Sequence, residues 1–389
     1  MYFCGCYNNN NNNNNNKNKN NNTNNDVQRI IDSHQHTGLC LNSHKCKIIA
    51  NNFDFVYQYP IFNDFKRIAK EDMNLLGAPI IEWKAVNTAL QAKIKNLERS
   101  VERLSLLQAH DALCLLKNAL AMPKLQYILR KSPSARNPLL SAFDDVLRRG
   151  LSKNLNVDLN DSQWTQASLP VQMGGLGVRS ANIMAPSAFL ALTAATLSLQ
   201  NAILPETLKD TEDTMVAFTL AIWKTLTPNT EPIDGIRHIQ RAWDTPVAQS
   251  AYTHLQTRCD TPADTARLKA ASAPHAGHWL NAPPITAIGL RLSDEAIRVA
   301  VGFRLGRITC QPHMCICGTM VDARGLHGLS CRKSGPRHTR HSQLNDLIWR
   351  AVKRAQIPAT KEPIGLPRID GKRPDEATLI PWKRGKPLA

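Results

Sequence analysis

From Lys84 onward apolar residues recur at steps of three and four. Val86, Leu90, Ile94, Leu97, Val101, Leu104 and Leu107 make one stripe, the pattern of an amphipathic helix with a single buried face. The intervening Lys93, Lys95, Arg99 and Arg103 then face outward. A second helix is predicted over residues 110–121, stopped before Pro123 because proline lacks the amide donor and crowds the preceding turn. A third follows through Tyr127, and Pro133 and Pro138 mark a linker. The segment SAFDDVLRRGLSKNL reads as a further helix, with the adjacent Asp144 and Asp145 expected to be its N-terminal charge. LPVQMGGLGVRSA is a glycine-rich turn. Residues 185–269 are helical in pattern and rich in Ala and Thr, with breaks expected at Pro205, Pro228, Pro232 and Pro246. Upstream the period changes. TGLCLNSHKCKIIA ends in an alternating, strand-like run, and LLGAPI reads as a strand or turn. Near the other end Leu344, Leu347, Ile348, Ala351 and Val352 predict one more amphipathic helix.

Residues 8–25 are nearly all Asn, with Lys17, Lys19 and Thr23 among the exceptions. Such a tract offers no apolar area to offset chain entropy, so residues 1–25 are expected to be disordered. Elsewhere 42% hydrophobic content is enough for a core, and 389 residues point to two or three domains. The charge changes the picture more. A net +17 and a pI near 9.6 attract polyanions, with RNA or DNA the first partner class and an acidic membrane the second. No run approaches 18 consecutive apolar residues and no signal-peptide layout opens the chain, so a soluble nuclear or cytoplasmic protein without membrane association is expected.

The ten cysteines are scattered except for Cys310, Cys315, Cys317 and Cys331, which argues against a disulfide framework. Cys315, Cys317, His327 and Cys331 give C-x-C-x9-H-x3-C, the ligand types and number of a closed tetrahedral zinc site. Gly318 and Gly325 permit tight turns between the ligand pairs. The alternative is ordinary reduced cysteines near an exposed histidine, and Cys310, His338 and His341 are substitute ligands. Four protein ligands leave no open position for water, so a Zn2+ here would be structural.

Three blocks, in this order, resemble the C-terminal part of non-LTR retrotransposon reverse transcriptases. Gly38, Leu39, Leu41, Asn42, Lys45 and Cys46 look like the palm motif that follows the catalytic Asp-Asp hairpin, and residues 76–80 resemble the start of the thumb. HDALCLLKNALAMPKLQYILRKSP is similar to family thumb sequences, and the zinc motif comes next. The last block, from Gly335, resembles the start of the family's restriction-enzyme-like endonuclease, with Pro374 and Asp375 matching its Pro-Asp. The resemblance implies a leaving-group lysine at Lys45 and vestigial metal carboxylates at Glu362 and Asp375. It implies a thumb that grips duplex phosphates through Lys93, Lys95, Arg99, Arg103, Lys117, Lys124, Arg130 and Lys131, joined by Arg337 and Arg340 next to the zinc motif.

The resemblance also indicates what is missing. No Tyr-x-Asp-Asp hairpin is present, and the second acid and lysine of the nuclease do not occur before Ala389. A catalytically inactive remnant is therefore expected, with Mg2+ bound only if a polymerase or nuclease site were complete. The expected fold is mainly α and multi-segment. A palm remnant with short strand pairs covers residues 26–82, a helical thumb 83–160, a helical spacer 161–290, a zinc segment 291–342 and a truncated α/β endonuclease start 343–389, whose strands fall near residues 366–380. The competing function is a host-adopted zinc-containing binding or scaffold protein without nucleic-acid activity.

Overall fold

The computed structural model describes residues 2–4, 24–33, 38, 40–49, 53, 56–69, 72–75, 77–79, 83–204, 213–228, 230–231, 235–333, 335–365, 374–381 and 384–386. The fold is mainly helical with small sheets, as the hydrophobic periodicity predicts. The chain divides into two compact units, Met1–Gly306 and Arg307–Ala389.

The first unit opens with a small parallel sheet in the order β1 (Tyr2–Cys4), β2 (Lys47–Ile49), β3 (Lys66–Arg67), with helix α1 over residues 24–33. The strand-like run at KII is β2. Val27 of α1, Ile48 of β2 and Cys46, Phe62 and Phe65 close a local core, with the two phenylalanine rings edge-on at 5.5 Å. LLGAPI folds as a hairpin, β4 (Asn74–Leu75) and β5 (Ala78–Pro79), turning at Gly77 with φ +85°. Most of the asparagine tract lies outside the described residues, and residues 24 and 25 already belong to α1.

Helix α2 (Trp83–Leu104) buries Val86, Leu90, Leu97, Val101 and Leu104, so the predicted stripe is its core face. It ends one turn early, and Leu107 is exposed. The second predicted helix is irregular. It consists of α3 (Ala109–Leu115) and a π turn over Leu116–Leu120. Pro123 then sits in the first turn of α4 (Met122–Lys131), where its missing N–H is no loss. That helix continues past Tyr127 to Lys131. Helix α5 (Pro138–Leu155) packs along α2, and Gly150 is the point of closest approach: a Cβ there would lie 2.5 Å from Val101 Cγ2.

Helix α6 (Asp161–Ser168) starts at a capping box of Asn160 and Gln163. The glycine-rich turn follows, with a 3-10 turn over Val171–Met173, and leads into α7 (Ala181–Ile203). Then come α8 (Thr214–Leu226), α9 (Gln240–Thr257), α10 (Pro262–Ala271) and α11 (Asp294–Leu305). Pro246 does not break a helix; it lies inside α9. The helix around it is anchored by a buried, edge-on tryptophan pair in which the Trp243 carbonyl accepts the Trp223 indole N–H at 3.1 Å. One core joins α2–α7 to Ile297, Val301 and Leu305 of α11, so residues 294–305 pack with the helical unit. Among the described residues α7 alone is long and apolar enough to cross a membrane by length and composition, although 39% of its most apolar window is buried in the protein. Its apolar residues are interrupted by polar ones, so a count of consecutive apolar residues overlooks it.

The second unit holds hairpin β6 (His313–Met314) and β7 (Met320–Val321), short helix α12 (His327–Ser330), helix α13 (Gly335–Arg354), and antiparallel strands β8 (Ala359–Lys361) and β9 (Glu376–Thr378). Of the strands expected near residues 366–380, β9 falls in that range, but its partner β8 lies earlier, at residues 359–361, and residues 366–373 lie outside the described residues.

Candidate functional site

The β6–β7 hairpin is closed by Gly318 at φ +85°, with the Cys315 amide donating to the Thr319 carbonyl at 2.9 Å. This tight turn brings Cys315 and Cys317 together. Gly325, at φ +69°, turns the chain into α12, which carries His327 at its start and Cys331 just past its end. The Cys331 amide donates to the His327 carbonyl at 2.9 Å, fixing that pair. Cys317 Sγ lies 3.1 Å from His327 Nε2, Cys315 Sγ lies 3.6 Å from Cys331 Sγ, and all four ligand atoms fall within 4.8 Å of one another. One thiol–imidazole pair and one thiol–thiol pair that close surround a single point, and the cluster could hold a metal ion. Hydrogen bonds from Thr319 lower the Cys317 thiol to about 6, toward the thiolate a metal requires, while burial raises Cys331. Cys310 is not part of the group, because its thiol faces the Asp322 carbonyl at 3.3 Å. His341 faces Asp375 instead, and the side chain of His338 lies outside the described residues.

The basic residues separate by environment. On α2, Lys95, Arg99 and Arg103 are exposed at successive i, i+4 positions and form a ridge opposite the buried stripe. Lys93 is half-buried and lies nearer the buried stripe than the ridge, and none of the four forms an ion pair among the described residues. Lys124 and Lys131 of α4 are exposed, whereas Arg130 is half-buried. Lys117 turns inward, donating to the Leu280 carbonyl at 3.1 Å and Asn281 Oδ1 at 2.7 Å. The side chains of Arg337 and Arg340 lie outside the described residues.

The carboxylates tell a different story. Asp144 lies well inside α5, not at its start, and is buried. It accepts from Ser180 Oγ at 2.6 Å, from the Ala181 amide at 2.7 Å and from the Asn182 amide at 3.2 Å, so it caps α7 rather than its own helix. Glu362 and Asp375 meet just beyond the β8–β9 ladder, where the Glu362 amide donates to the Asp375 carbonyl at 2.8 Å. Asp375 Oδ1 stands 3.2 Å from His341 Nε2. Lys45 is exposed at the end of a 3-10 turn, Ser43–Lys45. Sequence reasoning missed the neighbouring pair of Asp346 and Lys361, with the Lys361 ammonium 4.9 Å from the centre of the Trp349 ring. The signal was the i, i+3 spacing of Asp346 and Trp349 on α13, which packs on β8. Among the described residues, Cys315, Cys317, His327 and Cys331 are the one group of three or more such side chains close enough to share an ion.

In comparison with known proteins, no family model matches the chain and no curated protein matches it.

Proposed function

We propose that this chain is a reverse-transcriptase-derived nucleic-acid-binding protein that holds the phosphate backbone of RNA or DNA on its α2–α4 surface without reading bases, and that it carries a structural Zn2+ on Cys315, Cys317, His327 and Cys331. The observation that carries the reading is the ridge of Lys95, Arg99 and Arg103, exposed and without ion pairs among the described residues, on a helix whose other face is locked into the core. A rigid helix that presents cations one turn apart suits a polyanion. Lys124 and Lys131 add to the same field. Binding rather than phosphodiester chemistry is the assigned role, because Lys45, Glu362 and Asp375 do not converge with further carboxylates into a metal-holding group among the described residues.

The test is titration of a labelled duplex and an RNA/DNA hybrid across a salt series. Wild-type affinity should fall steeply with salt, and a K95Q/R99Q/R103Q variant should flatten the log–log slope by about 2 to 3. Indifference to both nucleic acids at low ionic strength would remove the reading. Elemental analysis should find one zinc per chain, absent from a C315S/C317S variant.

A further inference from the structure

A cavity of about 400 Å³ opens in the helical unit, lined by Lys117, Gln172, His275, His278 and Asn281. None of its lining residues is acidic. The Lys117 ammonium reaches it after spending two of its three hydrogens on neutral acceptors, the Leu280 carbonyl and Asn281 Oδ1. Behind the lining lies Arg304, only 6% exposed, whose guanidinium is held by backbone oxygens alone: Gly175 at 3.0 Å, Val171 at 2.7 Å and Ala276 at 3.3 Å. Its nearness to the cavity wall is set at Gly277, where a Cβ would lie 3.0 Å from Arg304 Nη2. Two cations sunk into a fold on carbonyls, with no carboxylate in their hydrogen-bond sets, are costly unless an anion completes them. Burial holds both below their ordinary ranges.

The rim points the same way. His275 is held at φ +67°, a conformation a non-glycine residue adopts only at a cost of about 1 kcal/mol or more. That geometry brings His275 Nδ1 to 3.3 Å from His278 Nε2, with the rings edge-on at 4.7 Å. The pair puts exposed ring nitrogens on the lining of the same cavity that holds the Lys117 ammonium.

We propose that this cavity is a phosphate site, taking the terminal phosphate of a nucleotide or strand end, or a phosphodiester within a strand. It involves residues apart from the α2 ridge and stands whether or not that ridge binds duplex.

Calorimetric titration of the full chain with inorganic phosphate, at constant ionic strength in chloride, tests it. One site per chain is expected, weakened about tenfold or more by Lys117→Gln and by a His275→Asn/His278→Asn double variant. Because Lys117 also braces the 280–281 loop, a K117Q chain that fails to fold leaves the decision to the histidine variant, whose two side chains are exposed. No phosphate binding by wild type at millimolar concentration, or undiminished binding by the folded histidine variant, overturns the proposal. The source follows from two short single strands. Tighter binding of the 5′-phosphorylated strand than of its 5′-hydroxyl twin identifies an end phosphate, and equal binding that the variants abolish identifies a phosphodiester. The ridge variant K95Q/R99Q/R103Q should keep its phosphate affinity, which separates failure here from failure of the backbone-binding role.

Discussion

Two buried titratable side chains link distant parts of the helical unit, and they respond to pH with opposite sign. Burial pushes Asp144 up to about 6, although the Ser180 hydroxyl and the Ala181 and Asn182 amides favour its charged form. A carboxyl raised in the folded state binds its proton more tightly there than in the unfolded chain, so its contribution is complete below about pH 4 and is lost as pH rises through about 6. At no more than about 1.4 kcal/mol for each pH unit, wild type should lose roughly 2 kcal/mol relative to D144N between pH 4 and 6. Urea unfolding of both proteins across that range checks this, and a pH-independent difference would contradict it. His110 behaves in reverse. Its Nδ1 accepts the Leu292 amide at 3.0 Å, and burial, the largest effect on it, lowers its pKa. A neutral imidazole is therefore built into the fold, and its contribution is present above about pH 6.5 and lost as pH falls through the lowered folded value. His110→Ala should cost about 1–3 kcal/mol at pH 8, and the deficit should shrink on acidification. A deficit that grows toward pH 5 would show that the ring is charged in the native state.

At the scale of elements, the α2–α5 contact rests on one missing Cβ. Gly150→Ala would drive a methyl group against Val101 and should destabilise the protein by about 1–3 kcal/mol, with V101A recovering more than about 0.5 kcal/mol of that in a double-mutant cycle. Additive effects would mean that the helices separate freely. Helices α2 and α5 were legible from sequence because one face of each is buried along its length, and a 3.6-residue period records that directly. The π turn at Leu116–Leu120, the passage of α9 through Pro246 and the capping of α7 by Asp144 were not, because each is decided by partners far along the chain. The ligand set at 315–331 was legible for the converse reason: its closure is local, and spacing alone states it. The Lys117, Gln172 and His275 cavity draws on three separate stretches of chain, and no window of sequence contains it.

Across the whole molecule the two units are stabilised by different means. The helical unit has a core running from Val86 to Leu305, whereas the described buried hydrophobic residues of the second unit are Val321, Cys331, Ala359 and Ala377. With these four small or medium side chains as its described apolar core, the second unit resembles small domains that a cross-link or a metal stabilises. The zinc ion proposed above, on three thiolates and an imidazole, would supply about 10 kcal/mol or more of apparent binding energy, all of it realised only when the ligands are assembled. Removing the ion with a strong chelator under reducing conditions should therefore strip amide-exchange protection from Val321 and Cys331 while leaving Leu147 and Leu151 protected at their original level. Restoring zinc should restore it. Protease added to the chelated protein should cut within residues 307–331 and spare residues 84–153. If protection at Val321 and Cys331 survives complete chelation, the hairpin and α12 hold themselves together, and the four ligands are neighbours for some other reason.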